Sequence, residues 1–246
     1  TMVTVPVNSH LMGSGSLSII KTTSNIHIFE LDSINSTFEN LTFYGNDTGT
    51  SQVGIYAEGV VSGTGPQSRY GNSVINCRFY DFGGSGLYAK NILGDGSSNH
   101  KGAFWVSNSS FISNRYGIHW DTQAEYNTVI GSTIVNNSVG VYINAAGNNS
   151  FIGNNINDNS TGLQMLGGAN DAHCVAIGNK INHNTSTLTL SNIGFGYLFS
   201  GNMMYGGNMT ITSCTRIKFV DNDISASTIT TTSNTQLQFT DNRFYV

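Results

Sequence analysis

Tyr56, Tyr88, His119 and Tyr142 are followed, two residues on in each case, by Glu58, Lys90, Asp121 and Asn144. On strands, such pairs face the same side, because side chains alternate with period two. Rings beside carboxylate, ammonium and amide groups suit a sugar, whose C–H faces stack and whose hydroxyls hydrogen-bond. Glu58 and Asp121 would supply the two carboxyl groups used in acid–base cleavage of a glycosidic bond, with Lys90 between them tuning both. His119 flanked by Tyr88 and Tyr142 offers a second chemistry, removal and return of a proton beside a sugar carboxylate, with Lys90 or Arg69 as the neutralising cation. Gln164 continues the ring column, and Asp95 and Glu125 are alternative carboxylates at its rim. Plainer readings stand beside these: a surface ion ladder for the charges and cross-strand packing for the rings.

The elements that would position these residues repeat. Gly117-Ile118-His119-Trp120-Asp121 returns as Gly140-Val141-Tyr142-Ile143-Asn144 and as Gly162-Leu163-Gln164-Met165-Leu166. Gly54-Ile55-Tyr56-Ala57-Glu58 and Gly86-Leu87-Tyr88-Ala89-Lys90 are earlier copies. A period of roughly 23 residues built from short alternating segments means a solenoid. An apolar residue recurs at Phe38, Val74, Val106, Val129, Phe151, Ala176, Phe199, Phe219 and Phe239, and another follows each by five residues, from Phe43 to Phe244. Two inward positions an odd number apart require a sharp bend between them. Gly153-Asn154, Gly178-Asn179, Gly201-Asn202, Asp221-Asn222 and Asp241-Asn242 supply it, since Gly, Asn and Asp tolerate left-handed backbone angles. Stacked turns with Asn at one place predict a ladder of amides.

Alternation places Ile118, Trp120 and their equivalents inside and the Tyr/His and Glu/Lys/Asp columns outside. In the last three coils the same outward positions hold only Thr189, Thr210, Thr230 and Ser191, Thr212, Thr232. Thr is well accepted on exposed strands, so the rings and charges of the early coils need a separate reason. Those coils also carry Gly/Ser-rich insertions at 45–53, 59–71 and 92–102, and a solenoid that adds loops locally does so at its binding face. Trp105 is expected to face outward near the third insertion, as a sugar platform. Residues 1–24 are expected to form capping strands under the helix of 25–246, and the chain stops inside a coil, which suggests truncation or a covering partner.

Charged residues make up only 10% of the 246, with a net charge of -4, which leaves no electrostatic footprint for nucleic acid or an anionic membrane. No apolar run reaches the ~18 residues of a membrane span, and residues 1–6 lack the pattern of a signal peptide. Cys77, Cys174 and Cys214 are odd in number and far apart, and read as buried thiols. His10, His27, His100, His173 and His183 show no ligand spacing, so neither a metal nor another cofactor is assigned. Asn-x-Ser/Thr triplets such as those at Asn35 and Asn159 are expected by chance in so Asn-rich a chain.

An Asn ladder in the short turn between the second and third strands of each coil resembles the right-handed single-stranded parallel β-helix of the pectate-lyase-like superfamily, which includes phage tailspikes and polysaccharide epimerases. The resemblance covers about residues 25–246. It implies an all-β solenoid of three strands per coil, with polysaccharide or oligosaccharide bound on the exposed first-strand face. Glu58 and Asp121, two coils apart at ~4.8 Å per coil, are compatible with the ~6.5–9.5 Å carboxyl separation of an inverting glycosidase. The Asp-Pro-His motif of mannuronan epimerases is absent, as is the dense acidic calcium site of pectate lyases, which places cleavage by hydrolysis ahead of a lyase. The alternative class is a non-catalytic adhesin or shaft. By the same resemblance the chain is expected outside the cell or on a virion surface, without membrane insertion, and open to assembly as a homotrimer.

Overall fold

A computed structural model describes residues 2–6, 8–15, 17–31, 35–47, 49–59, 71–92, 103–167 and 173–245. Short strands there stack into three parallel ten-stranded sheets, each coil giving one strand to each sheet in turn. The result is a right-handed three-strand β-helix without an α-helix among the described residues. Strands Val3–Val5, His10–Met12 and Ile19–Lys21 pair in parallel with the next coil, one in each sheet. The N-terminal strands thus form a regular first coil.

The core follows from the two apolar series. Phe38, Val74, Val106, Val129, Phe151, Ala176, Phe199, Phe219 and Phe239 are register partners up the second sheet. Phe43, Phe79 and Phe111 stack face to face in the third, with ring centroids 4.7 and 4.8 Å apart. Trp120 is completely buried. All three cysteines are buried thiols. Burying such side chains supplies the main driving force for folding.

Corners are set by backbone angle and by amides. The corner residue between second and third strands is left-handed in successive coils: Asn76, Asn108, Gly131, Gly153, Gly178, Gly201, Asp221 and Asp241, all with φ between 48° and 64°. The residue after each bend points inward and carries the ladder. Asn154, Asn179, Asn202 and Asn222 each donate a side-chain amide hydrogen bond to the next, ending at Asn242, with links 2.8–3.0 Å long. Ser109 and Ser132 continue it into the earlier coils with hydroxyls. A second ladder, at the corner between third and first strands, runs Asn114–Asn137–Asn159–Asn184 with every link at 3.0 Å. A short third one joins Asn127 to Asn149. Asn159 is therefore a buried structural amide, 2% exposed, and not an open glycosylation acceptor.

The glycines that open the first strands have a steric cause. A Cβ on Gly54, Gly86, Gly117, Gly140 or Gly162 would lie 2.6–2.8 Å from a carbonyl oxygen of the coil above. Only glycine lets the backbones approach so closely.

Asn179 shows what a ladder residue contributes. Its Oδ1 accepts from the backbone N–H and the side-chain amide of Asn154, and its Nδ2 donates to Phe151 O and Asn202 Oδ1. Asn179→Ala strands buried donors and acceptors, so it should cost on the order of 3 kcal/mol in urea unfolding. Thr212→Ala on the outer face should stay within about 0.5 kcal/mol. Equal losses would show that the ladder is not what holds the coils.

Candidate functional site

The register of the first sheet builds the site. Strands Val53–Glu58, Ser85–Lys90, Tyr116–Asp121, Val139–Asn144 and Thr161–Leu166 align Tyr56, Tyr88, His119, Tyr142 and Gln164 in one column. Glu58, Lys90, Asp121 and Asn144 align in the column beside it. Residues as much as 108 positions apart in sequence therefore line one continuous face.

The rings touch in sequence. His27 stacks on Tyr56 at 4.0 Å with planes 4° apart, and Tyr56 stacks on Tyr88 at 5.0 Å and 6°. His119 meets Tyr88 and Tyr142 edge-on, each at 4.8 Å. Tyr116 fills the remaining side, 4.9 Å from the His119 ring and 5.1 Å from Tyr142, and carries the Arg115 guanidinium 5.1 Å above its face.

Each charged group in the second column is held by a neighbour. Lys90 Nζ lies 3.3 Å from Glu58 Oε1, and the Tyr56 hydroxyl donates to Glu58 Oε2. Tyr88 donates to Asp121 Oδ2 at 3.2 Å. Asp121 Oδ1 accepts from the Thr122 N–H at 2.8 Å, the Thr122 hydroxyl at 3.2 Å and Asn144 Nδ2 at 2.8 Å. Two tyrosine hydroxyls thus bridge the ring column to the carboxylates.

Protonation states follow from this packing. Burial pushes His119 down to about 4; the Arg115 and Lys90 charges push the same way and Asp121 opposes them, so the imidazole is neutral at pH 7. Burial alone would raise Asp121, but the Thr122 N–H and the Asn144 amide outweigh it and hold the carboxyl below its ordinary value. Burial, then the neighbouring carboxylates, raise Tyr56 and Tyr88, which stay protonated donors. Glu125, in the turn after the Asp121 strand, is raised by burial despite the 3.0 Å hydrogen bond from Asn148. Neutral imidazole and ionised carboxylate therefore stand side by side around Tyr88.

A groove of about 460 Å³ opens on the side of the ring column away from the carboxylates. Tyr56, Tyr88 and His119 form its floor, with His27, Thr50, Ser51, Arg115 and Tyr116 around it. Thr50 and Ser51 belong to the first insertion, which is pinned by mutual hydrogen bonds between Asn46 and Gln52 and by the Ser51 N–H bond to Asn25. The other two insertions leave the first strands beside Glu58 and Lys90, and their central parts lie outside the described residues. So do Arg69 and Asp95. Trp105 faces solvent, 49% exposed, but on the second sheet and not in the ring columns. Among the described residues no three His, Cys, Asp or Glu side chains gather as a metal-binding group.

Sequence pattern missed His27, Arg115 and Tyr116. Strict alternation puts Tyr116 in the core with Ile118 and Trp120, but the chain turns its corner there and the ring emerges half-buried beside His119. Register puts Glu30 opposite Tyr56, yet His27 supplies the stacked ring. The Arg-Tyr pair immediately before the Gly-Ile-His strand was the available signal.

The depressed His119 value has a measurable consequence. Between about pH 6.5 and about pH 4 the unfolded chain binds a proton that folded His119 refuses, so stability rises with pH across that window. Lowering the pH through it should cost up to about 3 kcal/mol from this group. Urea unfolding across that range should show His119→Gln with a markedly flatter pH slope than the parent. An unchanged slope would contradict a buried neutral imidazole.

No protein-family model matches the chain, and comparison with curated proteins finds no match. Solved structures do resemble it. Full-length tailspike protein 2 from an Escherichia coli O157:H7 bacteriophage aligns with 92% of this chain and 33% of its own, at 14% identity and a TM-score of 0.56. The enzymatically active domain of bacteriophage CBA120 tailspike protein 2 aligns with 97% of this chain and 40% of its own, at 13% identity and a TM-score of 0.53. The A-module of an Azotobacter vinelandii mannuronan C-5 epimerase aligns with 99% of this chain and 83% of its own, also at 13% identity and 0.53. This chain thus spans about a third of the full-length tailspike and two fifths of its active domain. The chain has the right-handed parallel β-helix fold of these tailspike and epimerase structures.

Proposed function

We propose that the chain binds a polysaccharide along the exposed face of the first sheet and cleaves it there. The observation that carries this reading is the unbroken row of rings from His27 to Tyr142, flanked by a row of charged and amide groups. Because the rings stack on one another, a sugar would lie across their exposed edges while Lys90, Asn144 and Gln164 bind hydroxyls. The fold is shared with a tailspike domain described as enzymatically active and with an epimerase of mannuronan, which supports a polysaccharide as the ligand. The tailspike likeness likewise supports action at a virion surface or outside the cell.

For hydrolysis, Glu58 and Asp121 are the acid–base pair. They stand two coils apart, or ~10 Å between backbones, which leaves room for a water between carboxyl groups. Asp121, held ionised, is the base that activates this water, and Glu58 is the acid that protonates the leaving oxygen.

A second reading rests on the groove itself, whose lining holds neutral His119 and the Arg115 guanidinium but no carboxylate. If the sugar carries a carboxylate, Arg115 would neutralise it and His119 would take the proton beside it, with Tyr88 donating to the leaving oxygen. Elimination leaves an unsaturated sugar that absorbs in the ultraviolet, whereas hydrolysis leaves only a new reducing end.

Incubation with candidate surface polysaccharides should therefore release reducing ends. Glu58→Gln or Asp121→Asn should lower turnover about 100-fold or more in the hydrolytic case, and His119→Gln in the elimination case. Unchanged turnover in all three would refute the site. Binding without any product, lost in Tyr88→Ala, would leave a receptor-binding module in place of an enzyme.

A further inference from the structure

The outer face of the second sheet differs from that of the first. Solvent-facing positions in the last coils of the first sheet hold Thr189, Ser191, Thr210, Thr212, Thr230 and Thr232. On the second sheet the two outward columns run Ser73, Trp105, Thr128, Ser150, Val175, Leu198 and Ile75, Ser107, Ile130, Ile152, Ile177, Ser200, so aliphatic and aromatic side chains alternate with small hydroxyls. Trp105 is 49% and Ile177 40% exposed. From strand Asn72–Ile75 to strand Tyr197–Ser200 no outward side chain is charged. The stretch spans ~29 Å of stacked strands and ~12 Å along them, on the order of 350 Å² in projection. Seven of the twelve outward positions there are apolar and five are Ser or Thr, an uncharged and mostly apolar composition like that of an interface centre, which ~800 Å² per partner would complete with the corners as rim.

Charge lies only at the two ends of this face. Glu39, whose Oε2 lies 3.1 Å from His10 Nε2 of its own chain, sits on the coil before Ile75, and Lys218 on the strand that carries Val220. We propose that a second copy of this chain covers the face, related by a two-fold axis across the sheet so that the two helices run antiparallel. Two features select that occupant. A flat sheet with a ~4.8 Å repeat is matched by another sheet of the same repeat, packed face to face at ~10 Å. The antiparallel order then sets Glu39 of one copy opposite the coil of Lys218 in the other, twice per dimer. Strands Thr128–Ile130 and Ser150–Ile152 flank the axis, so Ile130 meets Ile152, and Trp105 meets the Val175–Ile177 strand. A parallel arrangement would place Glu39 against Glu39 and Lys218 against Lys218.

Light-scattering mass across a concentration series tests this, with circular dichroism to confirm the fold. The parent chain should be a dimer. Ile177→Lys should raise the dissociation constant about tenfold or more, and Ile177→Thr, which keeps the branched shape, should act in the same direction. Lys218→Glu should weaken association, and combining it with Glu39→Lys should restore it. Thr210→Lys on the first sheet should leave the dimer intact. A monomeric parent, a trimeric mass, a dimer indifferent to Ile177→Lys, or a failure of the double charge swap to restore association would each overturn the proposal.

Discussion

Amide-to-amide hydrogen bonds inside the corners hold every coil in register with the next, and the outer surface inherits that register. Each ladder amide satisfies both its neighbour's backbone N–H and its neighbour's side chain, so a buried polar group becomes a structural link instead of a cost. A slip of one residue in any strand would carry its core residues to solvent and its rings to the core. Two long ladders, on the corners either side of the third sheet, make such a slip expensive. The columns of Tyr, His, Glu, Lys and Asp exist because this register does not drift.

Register also sets the chemistry of the columns. Stacking rings at about the strand spacing removes water from His119 and the tyrosine hydroxyls, and their pKa values move away from the charged forms. Asp121 escapes the same fate because three donors point at one of its oxygens. Identical geometry in the late coils, filled with Thr, offers none of this. The scaffold is uniform and the early coils carry the difference.

Much of the fold could be read directly from spacing. The inward series, the bend implied by an odd separation, the Asn turn and the outward columns all appear as read, because a solenoid turns sequence period into spatial contact. The second ladder was overlooked although Asn114, Asn137 and Asn159 each precede the strand-opening glycine by three residues. Of its asparagines only Asn159 enters the sequence reading by name, as a chance Asn-x-Thr triplet. Positions at corners resisted prediction for a different reason. Alternation holds only within a strand, so His27 and Tyr116, which flank strand beginnings, emerge where no period-two rule places them. Trp105 was correctly turned outward, but sequence spacing does not reveal that the outward side of a second strand is a different face of the molecule.

A crystal structure of the chain with a bound oligosaccharide from a polysaccharide it recognises is the most direct measurement of where it works. Sugar rings lying across Tyr56, Tyr88 and Tyr142, with hydroxyls against Lys90 and Asn144, are the predicted result. A sugar seated on the second or third sheet, with the ring column left bare, would contradict it.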